Sequence, residues 1–86
     1  MPTKSVVVGS AVGLHARPAS IISEAAGDLD SEVLIVLPGE EGVDAGSSLL
    51  IMTLGAGHGD TVEVSGENQA DVEAIAALVA QDLDAD

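Results

Sequence analysis

SEVLIVLP, residues 31–38, is the stretch on which the fold turns. Its apolar run is continuous, short and closed by Pro38 and Gly39, which predicts a strand, and a strand without polar alternation belongs in the middle of a sheet. Towards the N-terminus, ARPASIISEAA from Ala16 sets Ala19, Ile22 and Ala26 at i, i+3 and i+7. That spacing predicts a helix of about three turns, starting at or next to His15 and capped by Gly27. Before it, KSVVV at 4–8 is β-branched and predicts a buried strand ending at Gly9. Towards the C-terminus, EEGVDAG is turn-rich with room for one short strand around Val43. SSLLIMTLG predicts a short helix opened by a Ser N-cap and closed at Gly55, with Leu50 and Leu54 as its buried residues. DTVEVSG alternates, with Val62 and Val64 inward and Thr61, Glu63 and Ser65 outward. NQADVEAIAALVAQDL puts Val72, Ile75, Val79 and Leu83 on one helical face, with Asn68 as N-cap and acids in the first turn. The order of elements fits a single α+β domain over residues 1–86, its sheet antiparallel or mixed and covered on one face.

With 86 residues there is room for one modest core. Hydrophobic residues make up 47% of the chain without a single Phe, Tyr or Trp, enough to fold despite the charge. That charge is −13, from 15 acidic and 2 basic residues, which argues against nucleic acid or an anionic membrane as the main partner. The same acidity fits a halophilic host, since the Debye length falls to about 3 Å at 1 M salt and self-repulsion is screened. Without cysteine, disulfides, thiolate catalysis and Cys-based metal centres are excluded. Only SVVVGSAVGL, residues 5–14, imitates a targeting segment, and its two glycines break the apolar run. The expectation is a soluble cytoplasmic protein with no signal peptide and no membrane insertion.

The chemistry concentrates in GLHARPAS, residues 13–20. A helix N-terminus leaves N–H groups without intrahelical acceptors and carries a partial positive charge, which favours an anion and an uncharged imidazole with one ring nitrogen available as nucleophile. A phosphoryl group on His15 gains the first-turn N–H groups of Ala16 and Arg17 and the planar donor fork of the Arg17 guanidinium. Pro18 has no N–H to offer but presets φ for helix entry, and Gly13 lets the backbone bend into the site. At about 4 Å and an effective dielectric near 20, the arginine attracts a unit negative charge by about 4 kcal/mol before desolvation, enough to outweigh distant, screened acids.

GLHARPAS, with SSLLIMTLGAGHGDTVEV about 25 residues further on, resembles the histidine-containing phosphocarrier family HPr of the sugar phosphotransferase system, and the resemblance covers nearly the whole chain. It implies an open-faced β-sandwich of order βαββαβα, a four-stranded antiparallel sheet with helices on one face. It implies that His15 takes a phosphoryl group from phospho-enzyme I, itself charged by phosphoenolpyruvate, and hands it to a histidine of a sugar- or polyol-specific enzyme IIA, while Arg17 steadies the group in transfer. The protein is then a stoichiometric carrier, expected as a monomer, with no cofactor and no metal. Ser20, Ile21, Leu49 and Met52 match the family's partner-contact positions. Ser47 matches a serine that is phosphorylated in some relatives. Here Gly46 stands where a basic residue often precedes it, and Ser48 where the position is usually apolar, so a plain helix cap is the better reading. The lysines that usually ring the contact patch are absent, which leaves docking to apolar contact or to partners of different charge.

Two other classes fit less well. A regulatory binding module of the same fold, acting by its phosphorylation state, is expected to have lost the histidine or the arginine, and both are present. An acidic cation-binding protein needs spaced acids around a turn, and no D-x-D-x-D-G run occurs. His58 and Asp60 are too few ligands for a metal site, which makes His58 an exposed loop residue. Glu67, Asp71, Glu73, Asp82, Asp84 and Asp86 read as a solvated face.

Overall fold

The computed structural model describes residues 2–29 and 31–81. Strand β1 (Thr3–Val7) is followed by helix α1 (Ala16–Gly27), strands β2 (Val33–Val36) and β3 (Val43–Asp44), helix α2 (Ser48–Thr53), strand β4 (Thr61–Gly66) and helix α3 (Gln69–Ala80). The four strands form one sheet in the order β1-β4-β2-β3, and each pairing is antiparallel. The order βαββαβα and the open-faced antiparallel sheet agree with the sequence reading.

Register explains which residues meet the helices. Ile35 sits opposite Val64, and Val62 opposite Val6, so the inner face of the sheet is a panel of β-branched side chains. Val33, Ile35, Val62 and Val64 are buried there against Ile22 of α1, Ile51 of α2 and Val72, Ile75 and Val79 of α3. No aromatic ring fills this core; interlocking Ile and Val side chains do, each contributing about 1.5–3 kcal/mol on burial.

The SEVLIVLP strand is an inner strand, as its composition requires, yet its burial alternates. Val33 and Ile35 are buried, while Leu34 and Val36 are half-buried on the open face. Gly42 lies over that face, close enough that a Cβ there would stand 3.0 Å from Val36 Cγ2. This partial cover is why the run stays apolar on both sides.

Several expectations are corrected. KSVVV is not a buried strand: β1 is an edge with β4 as its one neighbour, Val7 is 53% exposed, and Val8, just past the strand end, is the residue fully enclosed. Gly27 does not cap α1 in a left-handed conformation; it is the last helical residue, and Asp28 ends the helix at φ −86°. In α2 the buried residue is Ile51, whereas Leu50 is 41% exposed and Leu54 half-buried. A six-residue helix turns only one narrow stripe inward, and here that stripe runs through Ile51. Ser65 has the outward register predicted for it but is 9% exposed, covered between Thr3 and Leu34 on the adjacent strands. Asp71 is half-buried and accepts from Ser31 Oγ at 2.8 Å, so it leaves the solvated acidic face on which Glu67 and Glu73 remain. Leu83, Asp82, Asp84 and Asp86 lie outside the described residues.

Among the described residues no helix is long and apolar enough to cross a membrane.

Candidate functional site

Helix α1 begins where GLHARPAS predicts. His15 is its N-cap, with extended backbone at φ −97° and ψ −162°, and its carbonyl accepts from Ala19 N at 2.8 Å. The imidazole makes no capping hydrogen bond, and no acidic residue occupies the first turn. His15 is exposed, as are Ala16 and Arg17, the first two helical residues. Pro18 and Ala19 are buried behind them and, with Ile22, anchor the helix to the core. This end of the helix is therefore held by its inner face and left open on its outer one.

The loop that delivers the chain to His15 is fixed by glycine geometry. Gly13 has φ +75°, and its N–H donates to Ser10 O at 2.9 Å to close a turn. A Cβ at Gly13 would stand 2.5 Å from Ala56 O and 2.8 Å from Gly57 Cα, so only glycine admits this approach of two backbones. Leu14 N then donates to Ala56 O at 2.9 Å. A shallow hollow of about 310 Å³ opens beside His15, walled by Val12, Leu14, Met52 and the backbone of residues 55–57.

Of the predicted contact residues, Met52 lines this hollow. Leu49 is 68% exposed on α2, and Ser20 (exposed) and Ile21 (half-buried) lie on α1, the two helices packing against one another. Val12 was missed by sequence reasoning: an apolar loop residue 52% exposed and bordering the same hollow as His15. Its sequence signal is weak, one valine in a Gly- and Ala-rich loop. Leu50, expected in the core, joins the exposed apolar set instead.

Ser47 is the N-cap of α2, its Oγ accepting from Leu50 N at 3.3 Å, and it is half-buried. That is the capping role the sequence favoured. Gly55, at φ +70° just past the helix, turns the chain into the hollow's floor. His58 is exposed, and the Asp60 carboxylate accepts from Gly57 N at 2.8 Å. Among the described residues no three of His, Cys, Asp and Glu converge as metal ligands.

What this arrangement offers chemically is an exposed nucleophilic side chain at the start of a twelve-residue helix, first-turn N–H donors, one guanidinium and an apolar landing surface. A family model described as the PTS HPr component phosphorylation site matches residues 2–81. The chain is similar to the phosphocarrier protein HPr of Mycoplasma genitalium, 39% identical over 75 residues that cover 86% of this chain and 84% of that protein. It is similar to that of Streptomyces coelicolor, 38% identical over 87 residues covering 98% and 94%. Among solved structures, the phosphocarrier protein HPr of Bacillus anthracis superposes with a TM-score of 0.84 at 32% identity, over 91% of this chain and 95% of that one.

Proposed function

We propose, from the premise that this chain belongs to the HPr family and is a phosphocarrier of the phosphotransferase system, that His15 is the residue that carries the phosphoryl group. The observation that carries this reading is the imidazole's position: N-cap of α1, solvent-exposed, and not engaged in capping the helix it begins. A ring nitrogen of His15 forms a bond to phosphorus as the bond to the donor, phospho-enzyme I, breaks. The new phosphohistidine then loses the group to a histidine of an enzyme IIA domain by the same exchange. Arg17 and the Ala16 and Arg17 N–H groups stabilise the equatorial oxygens, because phosphoryl transfer depends mainly on positioning and charge stabilisation.

Leu49, Met52, Ser20 and Ile21, with Val12, supply the contact surface around the histidine. The chain works as a monomer in the cytoplasm of a halophilic host, where concentrated salt screens a charge of −13. Enzyme I and phosphoenolpyruvate should label the wild-type protein with acid-labile, alkali-stable phosphate, and His15→Ala should take no label. Labelling of His15→Ala at the wild-type rate would overturn the assignment.

A further inference from the structure

The peptide unit joining Ala56 to Gly57 is held from both sides. Its carbonyl accepts from Leu14 N at 2.9 Å, and Leu14 is the residue immediately before His15. Its N–H donates to Asp60 Oδ2 at 2.8 Å. We propose that Asp60 is a positioning residue for phosphoryl transfer at His15, acting through this one peptide plane; the inference rests on the role of His15 given above.

The carboxylate oxygen supplies an acceptor, as an amide oxygen of the same reach also does, and hydrogen bonds in series polarise one another. The run from Asp60 Oδ2 through the 56–57 peptide to Leu14 N is such a series. Asp60 is itself fixed by its backbone: its N–H donates to Gly57 O at 3.0 Å, its carbonyl accepts from Val8 N at 2.8 Å, and Gly59 N donates to Val8 O at 3.1 Å. The carboxylate therefore reaches out from a backbone pinned to the end of β1. Glycines at 55 and 57 flank Ala56, whose methyl is buried in the core, and beyond that methyl the plane is oriented by its two hydrogen bonds. Any rotation of that plane is felt at once by the incoming loop, since Gly13 approaches Ala56 O as closely as a residue without a Cβ allows. Asp60 does not line the hollow beside His15; its effect passes through backbone alone.

The test compares Asp60→Ala with Asp60→Asn, which keeps an acceptor oxygen and removes the charge. With phospho-enzyme I as donor, Asp60→Ala should lower the saturating rate of His15 phosphorylation about five- to tenfold with KM within about twofold of wild type, because misplacement acts on the reacting geometry rather than on docking. Asp60→Asn should stay within about twofold of wild type in both. An unchanged rate in Asp60→Ala, an equal loss in Asp60→Asn, or a loss confined to KM overturns the inference. Amide hydrogen exchange of the unphosphorylated proteins gives a second readout: Leu14 should exchange faster in Asp60→Ala than in wild type or Asp60→Asn, and equal exchange in all three overturns the proposal. If wild type takes no label, the carrier assignment fails, while the exchange measurement still decides whether Asp60 holds the loop.

Discussion

Helices α1 and α3 are each twelve residues long, yet their N-termini are built in opposite ways. At α3, Asn68 accepts from Asp71 N at 3.2 Å, Asp71 adds a negative charge to the first turn, and Ser31 Oγ in turn donates to Asp71 at 2.8 Å. Side chains and a favourable charge satisfy that end. At α1 the N-cap is a histidine whose side chain caps nothing, and the first turn has no acid. Of the chain's 15 acidic residues, none lies in the first turn of α1. The contrast teaches that capping is a local stability choice, made at one helix end and forgone at another.

That contrast can be broken most severely at Arg17. Its replacement by alanine should slow transfer to and from His15 by about a hundredfold, the order seen when one donor to a developing anion is removed, with an unchanged fold by circular dichroism. The equivalent injury at the closed end should touch stability alone. Asn68→Ala should cost about 1 kcal/mol in denaturant unfolding while the rate of labelling stays at the wild-type value. The smallest and most pointed test converts one end into the other: His15→Asn installs a capping side chain at α1 and should raise stability by about 0.5 kcal/mol while abolishing phosphorylation. A destabilised His15→Asn protein would show that His15 contributes to the helix end in a way its geometry does not reveal.

Much of this was legible in the sequence, for reasons that differ by element. The start of α1, the cap of α2 at Ser47 and the cap of α3 at Asn68 are written in adjacent residues, so local chemistry discloses them. The inner position of β2 is written in its composition. What stayed hidden depends on partners distant in the chain. KSVVV looks like a core strand until its place at the sheet edge is known. Ile51 and Leu50 are equally apolar neighbours, and only the packing of α2 against the rest of the fold selects which is enclosed. Val12 acquires meaning from a hollow closed by Met52 and residues 55–57 from far along the chain, and the link from Asp60 to Leu14 exists only once two loops meet. The proposed histidine and arginine stand out because they are neighbours in sequence; the scaffold around them does not.

The strand order has a consequence for how the molecule comes into being. Thr3 pairs with Ser65 and Val7 with Thr61, so β1 finds its partner only once β4, the fourth strand of the sheet in chain order, has been made. Gly9 N, on the way to His15, donates to Val79 O at 3.0 Å, and Ser10 Oγ donates to Gln81 O at 3.2 Å, so even the loop leading to the histidine is tied to the end of α3. Such long-range pairing makes folding slow relative to a helical chain of the same length and leaves β1 unpaired on a nascent polypeptide until β4 has been made. The stretch that leads to His15 is made before β4 and α3 and takes its folded place only when they follow.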